Sequence, residues 1–454
     1  MLRLRQEQGR QMSFTDALLP PGAGELPAEL AKLDEWLDDE RFFSPFRDRY
    51  HRYLGRPSVP AETYLRLVAL KHQYGLSDRE VCAQVCDRIS WRWFCRIPWA
   101  EPAPHPSSLT KIRQRLDAEG GDHMAELNAH LVRKAQERKL LKGRKVRVDT
   151  TVVEANIHYP TDSSLIADTV RRVTRLVNRL QAVMGGSPIR DRARSIKKRV
   201  LSIAKVTKRR TGESVKDVRR ITGEMADIAG KTLRAARKVV ERAVQEGKAV
   251  GQRLAGQLES ALSVGKQVLE QARRVNEGQT SLPERVVSIF DPQARPIRRG
   301  KNHPRTEFGY KVRVTETKER LVSGYDVMVG NPPDSELLIP GVTEHAERTG
   351  RMPDGVATDR GFWSPGNERY LLDKGVKRVS LPRRGKRSAS RTAHERQPWF
   401  RRLQRWRAGQ EGTISVLKRR YGLDRTLYRG LAGCQRWVGE AIWGYNLTRI
   451  ARLA

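Results

Sequence analysis

The periodicity of the sequence changes twice along the chain, and one regular element cannot contain both patterns. In residues 144–153 the run KVRVDTTVV alternates apolar and polar side chains, and this period of two predicts a strand. Residues 163–277 instead place apolar side chains three and four apart, which predicts long helices. Strand-like runs resume at residue 284 with RVVSIFDP, FGYKVRVTET and LVSGYDVMVG. We therefore expect a sheet whose first strand is separated from the others by a helical insertion.

The chain is strongly basic, with 88 Lys and Arg against 52 Asp and Glu and a formal net charge of +36. This excess favours a polyanionic partner. Because the charge is spread along the chain and not confined to one amphipathic helix, nucleic acid is favoured over an anionic membrane surface. No stretch approaches the roughly 18 apolar residues of a membrane span, and the N-terminus lacks the apolar run of a secretion signal. The spacing of the four cysteines does not suggest a zinc site. They are interpreted as small buried hydrophobic residues in a reducing cytoplasm.

The predicted insertion, residues 163–283, has heptad-like spacing with small residues such as Gly251 and Gly265 at part of its seam. This pattern predicts a helical hairpin or short coiled bundle, whose outer faces are rich in Arg and Lys. Two interpretations remain open. The insertion is either an arm that grips DNA or a second subunit, or a self-packed element whose charges are only solvated.

Residues 27–140 are predicted to be helical and follow an N-terminal extension at residues 1–26. The segment PAETYLRLVALKHQYG begins at Pro60 and ends at Gly75, and Ser77 is a candidate N-cap for the next helix. A helix, a glycine turn and a capped helix resemble a helix-turn-helix unit, so we expect an all-α DNA-binding domain. A small helical bundle without contact to DNA has the same punctuation and stays open as the alternative.

Strands and helices alternate after the insertion. Without residues 160–283, the order is strand, strand, strand, helix, strand, helix, strand, helix. This order fits an α/β ribonuclease-H-like fold, a mixed five-stranded sheet with helices. We assign residues 141–162 and 284–430 to this catalytic domain and residues 431–454 to a C-terminal helix. Asp334 or Ser335 is interpreted as the cap of the helix that begins at NPPDSELL.

Three carboxylates stand where such a fold gathers its functional residues. Asp149 ends the run KVRVD, Asp359 ends GVATD, and Glu411 opens the helix-like EGTISVLKRR. Sites in open α/β sheets lie at the carboxyl ends of strands. Carboxylate oxygens suit Mg²⁺ or Mn²⁺, and two such ions can activate both ends of a phosphodiester displacement. The sequence therefore predicts Asp149, Asp359 and Glu411 as catalytic and metal-binding residues for two ions.

Basic residues surround these acids. Arg407, Glu411 and Lys418 fall on one helical face, which suits a site for a charged DNA backbone, although a surface stripe of charge pairs has the same spacing. The loop from Arg383 to Arg391 is expected to be disordered without a partner. The loop is also expected to contact DNA phosphates, with a solvated loop as the alternative. Arg360 either contacts phosphate or forms a structural ion pair. The predicted DNA-binding residues are Arg407, Lys418, Arg360, Arg383, Arg384, Lys386 and Arg387.

The segments VRVDTTVVEANIHYPTDSSL, VATDRGFWSPGNERYL and RAGQEGTISVLKRRYGLDRTLYRG resemble those of bacterial DDE-class insertion-sequence transposases of the IS-five-like or ISNCY group. The segment PAETYLRLVALKHQYGLSDREVCAQVCDRISWRWFCRI, with PSSLTKIRQRL, resembles the N-terminal helical domain of the same proteins. The resemblance implies catalytic Asp149, Asp359 and Glu411. It also implies that Arg407 and Lys418 match the basic residues of an R-x3-E-x6-K signature. Gln404 stands where related signatures often have Tyr.

The resemblance further implies a DNA transposase that binds the inverted-repeat ends of its element as a homodimer or larger assembly. Such an enzyme would cleave phosphodiester bonds with two Mg²⁺ ions, join 3′-hydroxyls to double-stranded target DNA, and work in the bacterial cytoplasm at the nucleoid. Two alternatives stay open: a ribonuclease-H-like nuclease without strand transfer, and a non-catalytic, transposase-derived DNA-binding protein.

Overall fold

The computed structural model of the chain divides into two compact units. It describes residues 1–5, 22, 25–99, 101–117, 122–208, 211–246, 249–279, 281–282, 284–298 and 306–453. Most of the predicted extension at residues 1–26 lies outside the described residues. Unit 1 comprises Met1–Glu154, Lys311–Tyr428 and Ala432–Ala454, and unit 2 comprises Ala155–Tyr310 and Arg429–Leu431.

Helices form the first part of unit 1. They are α1 (Ala28–Leu37), α2 (Ser44–Arg47), α3 (Ala61–Tyr74), α4 (Asp78–Asp87), α5 (Ile89–Phe94), α6 (Pro106–Leu116) and α7 (His123–Glu137). Gly75 ends α3 with φ +66°, in the left-handed region where glycine has no steric cost. The predicted N-cap Ser77 is confirmed, because its side chain accepts a hydrogen bond from the backbone of Glu80 in a capping box.

Within the described residues the sheet has six strands, one more than the five expected, and those of unit 1 follow the order β4-β3-β1-β5-β6. These are β1 (Lys145–Glu154), β3 (Thr306–Thr317), β4 (Val322–Met328), β5 (Gly355–Ala357) and β6 (Arg378–Ser380). Strands β1, β5 and β6 are parallel, whereas β3 and β4 are antiparallel. The first residues of β3 belong to unit 2, where they pair with β2 (Arg295–Arg298). This mixed sheet with helices fits a ribonuclease-H-like fold.

The prediction of a strand at RVVSIFDP is wrong, because the first strand after the helices of unit 2 is β2. Gln271 explains the difference: its amide donates to the carbonyl of Val286 and accepts from the amide N–H of Val286, at 3.0 Å each. A side chain from a helix of the same unit thus supplies the hydrogen bonds that a neighbouring strand would have supplied.

The remaining helices of unit 1 follow the sheet strands. They are α12 (Asp334–Thr349), α13 (Pro365–Asp373), α14 (Ala389–Arg396), α15 (Pro398–Ala408), α16 (Gln410–Tyr421) and α17 (Gly430–Leu453). Apolar residues of α12 and α13, including Leu338 and Leu371, pack with Val146 and Val356 of the sheet. The interpretation of Asp334 or Ser335 as a cap is wrong, because Pro333 precedes α12 and no side chain caps it.

Unit 2 contains α8 (Asp162–Met184), α9 (Ala193–Thr207), α10 (Gly212–Glu246) and α11 (Ala249–Asn276). Apolar residues of α8, α10 and α11 form its core, and Gly265 lets helices approach closely, since a Cβ there would lie 2.8 Å from Thr169 Cγ2. Arg199 of α9 and Glu224 of α10 are joined at 3.0 Å. Among the helices that the structure describes, none has both the length and the apolar character needed to cross a membrane.

A buried ionic network joins α17 to the N-terminal helices of unit 1. Glu440 is fully buried and accepts hydrogen bonds at 3.0 Å from Lys71 Nζ, His72 Nε2 and Tyr428 Oη. Arg113 Nε lies 3.7 Å from Glu440 Oε1. Burial alone would raise the pKa of Glu440, but the charges of Lys71 and Arg113 hold it well below its ordinary value. Burial lowers the pKa of His72.

We expect Glu440→Gln to lower the free energy of unfolding of unit 1 by about 3 kcal/mol, because it leaves Asp78 as the remaining carboxylate partner of the two buried cations Lys71 and Arg113. All nine tryptophans lie in unit 1, so urea unfolding followed by tryptophan fluorescence reports this unit. Asp373→Asn is the control, since its ion pair with Arg369 is exposed and should change stability by less than about 1 kcal/mol. Equal effects would contradict the role given to Glu440.

A second prediction concerns pH. His345 of α12 is buried between Ser323 Oγ at 2.8 Å and the carbonyl of Gly143 at 3.0 Å, and burial lowers its pKa to about 4. The unfolded chain protonates this histidine near pH 6.5, so its contribution to stability is present above pH 6.5 and is lost as the pH falls towards 4.

We expect the unfolding free energy of the wild type, relative to His345→Gln, to fall by about 2–3 kcal/mol between pH 7 and pH 4.5. The same fluorescence-detected urea titration at the two pH values measures this difference. Parallel pH dependence of the two proteins would show that His345 is not the linked group.

Candidate active site

Asp149 lies on β1, and Asp359 lies two residues past the end of β5, the parallel strand that pairs with β1. The last registered pair of β1 and β5 is Arg147 with Ala357, and each aspartate follows its member of that pair by two residues. Asp149 is therefore not at the end of its strand, as the sequence suggested, because β1 continues to Glu154. It stands instead where the pairing with β5 stops. Beyond the carboxyl end of β5, the shorter of the two strands, the sheet leaves an opening beside β1.

Local hydrogen bonds orient both carboxylates. Asp149 Oδ1 accepts from the backbone N–H of Thr150 at 2.7 Å. Asp359 caps a short 3-10 turn, Arg360–Phe362, with Oδ1 accepting from Gly361 N at 2.9 Å. Both residues thus have side-chain conformations that the backbone of their own element stabilises.

Asp334 is a further carboxylate at this edge, and sequence reasoning missed it. Its Oδ1 accepts from Thr150 Oγ1 at 2.9 Å and pairs with Lys311 Nζ at 2.7 Å. A Cβ on Gly361 would lie 2.8 Å from Asp334 Oδ2 and 3.2 Å from Asp359 Oδ1, so both carboxylates border the same small space. An aspartate at the start of a helix normally indicates a cap, and no other signal in the sequence marked this one.

Arg407 connects Asp149 with Glu411. Its Nη1 lies 3.9 Å from Asp149 Oδ2, and its Nη2 lies 3.9 Å from Glu411 Oε1. Arg407 is in the last turn of α15 and Glu411 is in the first turn of α16, with Gly409 between the two helices. Glu411 is 74% exposed, and Lys418 follows two turns later on α16. The three predicted acids do not form a compact ligand set, since no group of three or more His, Cys, Asp or Glu among the described residues is placed to hold a metal.

Arg147 fixes the junction of α15 and α16 over the sheet, and it too was missed. Its guanidinium is 2% exposed and makes two hydrogen bonds to Glu316 of β3, at 2.9 and 2.8 Å. It also donates to the carbonyl of Trp406 and lies over that indole ring at 4.9 Å. Thr413 Oγ1 of α16 donates to Glu316 at 2.8 Å. Burial raises the pKa of Glu316 although Arg147 opposes the shift.

A cleft of about 1220 Å³ opens beside Asp359 and is lined largely by arginines. Of the predicted DNA-binding residues, Arg360, Arg387 and Arg407 line it, whereas Arg383, Arg384, Lys386 and Lys418 do not. The further arginines in its wall are Arg396, Arg401, Arg402 and Arg405. The charge of the cleft is therefore strongly positive on the side that leads to Asp359.

The basic loop that begins at Arg383 has defined contacts, contrary to the expected disorder. Glu395 of α14 accepts from the backbone N–H of Arg383 at 2.8 Å and from Arg391 Nε at 2.9 Å, and it pairs with Arg387 at 3.2 Å. The Arg383 guanidinium also lies 5.1 Å from the centre of the Trp363 ring. One carboxylate thus supplies the anion that holds the loop together.

Comparisons with known proteins match two parts of the chain. The family model described as "Transposase domain (DUF772)" matches residues 15–115, and the one described as "Transposase DDE domain" matches residues 282–447. A Rhizobium meliloti protein described as "Uncharacterized protein ORF8 in nfe locus" is 27% identical over 162 residues, which are 35% of this chain and 75% of the relative. No solved structure matches the chain. Asp359 and Glu411 lie within the second match, and Asp149 lies outside both.

Two glycine substitutions near the junction of α15 and α16 test the contact between this junction and Arg147. Gly409→Ala should destabilise unit 1 by about 1–3 kcal/mol, because the new Cβ would lie 2.9 Å from the buried Arg147 Nη1. Gly412→Ala is the matched control three residues later: nothing lies within 4 Å of its Cβ position, and alanine in a helix should add about 0.5–1 kcal/mol. Urea unfolding followed by tryptophan fluorescence measures both, and two stabilised variants would contradict the tight contact.

Proposed function

The chain belongs to the DDE transposases of bacterial insertion sequences, and from this premise we propose that it cleaves the ends of its own element and joins them to target DNA. The observation that carries the proposal is that Asp149 and Asp359 each follow, by two residues, the last registered pair of the parallel strands β1 and β5. Arg407 lies beside Asp149 and Glu411. Aligned carboxylates next to an arginine-lined cleft are suited to phosphodiester chemistry, in which positioning and charge stabilisation do most of the work.

The donor chemistry at this edge fits hard divalent cations. Asp149, Asp359 and Glu411 offer only carboxylate oxygens, which Mg²⁺ and Mn²⁺ prefer. The guanidinium of Arg407, 3.9 Å from both Asp149 and Glu411, compensates part of their negative charge, so binding of a cation between them would require Arg407 to move. The three acids do not form a compact ligand set as they stand, so we propose that they would hold two Mg²⁺ or Mn²⁺ ions once Glu411, which is exposed, approaches the two aspartates. When bound, such ions would lower the pKa of the attacking hydroxyl or water and stabilise the leaving oxygen.

The protein itself would bind and orient the DNA. We assign phosphate contacts to Arg360, Arg407, Lys418 and the loop residues Arg383, Arg384, Lys386 and Arg387. Residues 27–140 would bind the inverted repeats through their helix-turn-helix-like unit, and two or more copies would bring the element ends together. Asp334, neutralised by Lys311, would orient Thr150 beside Asp149. The site of action would be chromosomal DNA in the bacterial cytoplasm.

We expect Asp149→Asn, Asp359→Asn and Glu411→Gln each to reduce cleavage of duplexes that carry the element ends by about a hundredfold or more, because each loses a charge that stabilises the transition state. Gel assays with Mg²⁺ and with Mn²⁺ measure cleavage, and a filter-binding assay should show nearly unchanged affinity for the same duplex. Asp354→Asn is the matched control, since Asp354 directly precedes the same strand β5 but at its opposite end.

A normal cleavage rate in any of the three variants would remove that residue from the catalytic set. Strand transfer is tested separately with pre-cleaved ends that carry free 3′-hydroxyls. Joined products are expected with the wild type. Cleavage without joining would instead identify the protein as a nuclease of the same fold.

A further inference from the structure

Helix α9 of unit 2 is basic along its whole length and contains no acidic residue. Its exposed side chains include Arg194, Lys198, Leu201 and Lys205, and exposed Lys208 directly follows the helix. These five positions are four and three residues apart, so they form one stripe along the helix, about 21 Å long. We call it the α9 stripe. Four cations on one face repel each other, and a polyanionic partner would relieve this repulsion.

The acidic residues of unit 2 do not neutralise this stripe. Glu224 of α10 pairs with Arg199, which holds α9 against α10. Among the described residues, no ion pair joins any cation of the α9 stripe to a carboxylate. Other ion pairs in the unit lie within one helix, as Arg237 with Glu241 and Arg274 with Glu270, or join residues outside α9, as Arg285 with Asp162. The carboxylates of unit 2 that form ion pairs are therefore engaged with cations outside the α9 stripe.

Helix α10 continues the basic surface. Its exposed residues Lys231, Arg234, Lys238 and Arg242 also fall on one helical face. The Arg199–Glu224 pair places α9 alongside the first half of α10, so the start of α9 reaches the region just before Lys231. The two stripes thus follow one another along the length of the hairpin. Their combined length is comparable with one turn of duplex DNA, about 34 Å.

We propose that the α9 stripe and the basic face of α10 bind the phosphate backbone of duplex DNA without reading its sequence. Flexible Lys and Arg side chains contact phosphates independently of the bases. A second copy of this surface would be repelled by it. A membrane-binding helix would expose a broad apolar face, whereas Leu201 is the large hydrophobic side chain that α9 exposes, at 55%. This contact lies outside the candidate active site and does not depend on the proposed chemistry.

The test uses the full-length protein and a 30-base-pair duplex of random sequence in EDTA, so that neither element ends nor cleavage enter the measurement. The stripe variant combines Arg194→Gln, Lys198→Gln, Lys205→Gln and Lys208→Gln. The control variant removes four charges from α11, through Arg253→Gln, Lys266→Gln, Arg273→Gln and Arg274→Gln. These exposed residues are spread around their helix and share it with Glu259 and Glu270.

Fluorescence anisotropy across a salt series gives the slope of log affinity against log salt. We expect this slope to be flatter by about 3 in the stripe variant, since each lost phosphate contact removes nearly one unit. The α11 control should change it by less than about 1. At about 100 mM salt the dissociation constant of the stripe variant should rise at least about tenfold. Equal changes in the two variants would overturn the proposal, because net charge alone would then explain the binding.

A second measurement covers the case in which four substitutions prevent folding. Leu201, at the centre of the α9 stripe, is replaced by the photoreactive p-benzoylphenylalanine, and Gln267, exposed on α11, is replaced in a control. Crosslinking to the duplex from position 201 but not from position 267 is expected. Absence of a crosslink at position 201, with DNA bound elsewhere on the protein, would overturn the proposal. Neither assay measures cleavage, so a failure of the proposed catalytic function would leave both results unaffected.

Discussion

The buried pair of Arg147 and Glu316 is the interaction on which the geometry of the candidate site depends. Burying two charges carries a desolvation cost that only close, multiple hydrogen bonds offset. Here the Arg147 guanidinium donates hydrogen bonds both to Glu316 of β3 and to the carbonyl of Trp406 in α15. Arg147 precedes Asp149 by two residues and shares its face of β1. The same side chain that fixes the α15–α16 junction therefore sets the distance from Asp149 to Arg407 and, through Arg407, to Glu411. Arg147 thus aligns the sheet with helices α15 and α16.

The same physical arrangement recurs in the helical core of unit 1. Glu440 brings α17, from the end of the chain, to Lys71 of α3 and Arg113 of α6. A buried carboxylate that needs several partners at once permits few alternative packings, whereas an apolar core of similar volume tolerates many. We interpret both networks as devices that specify one arrangement of helices, at some cost in stability, in a chain whose surface charge opposes compaction.

The sequence predicted β1, β3, β4, β5 and β6 and the interruption of the sheet, and it singled out Asp149 and Asp359, because these rest on local period and on the ends of short runs. It missed β2. It did not predict Arg147 as a buried residue, since a basic side chain in an alternating strand normally faces water. The predictions of a strand at RVVSIFDP and of a cap at Asp334 were wrong for a related reason. Gln271 supplies the hydrogen bonds of Val286, and Lys311 pairs with Asp334. Pairings of this kind leave no periodic signal. The metal-binding role of the three acids stays a prediction.

Strand β1 is completed at Glu154, but the part of β3 that belongs to unit 1, from Lys311 onward, and strand β5 are made only after the segment from Ala155 to Tyr310. During synthesis at roughly 5–20 residues per second, a ribosome needs several seconds or more to make the segment from Ala155 to Tyr310. Throughout that time β1 has two unpaired edges, the state in which strands associate with other chains. Rapid local folding of the α8–α11 helices would bring the ends of this long connection closer together before Lys311 emerges. Chains interrupted inside the insertion would therefore be the aggregation-prone products of this gene.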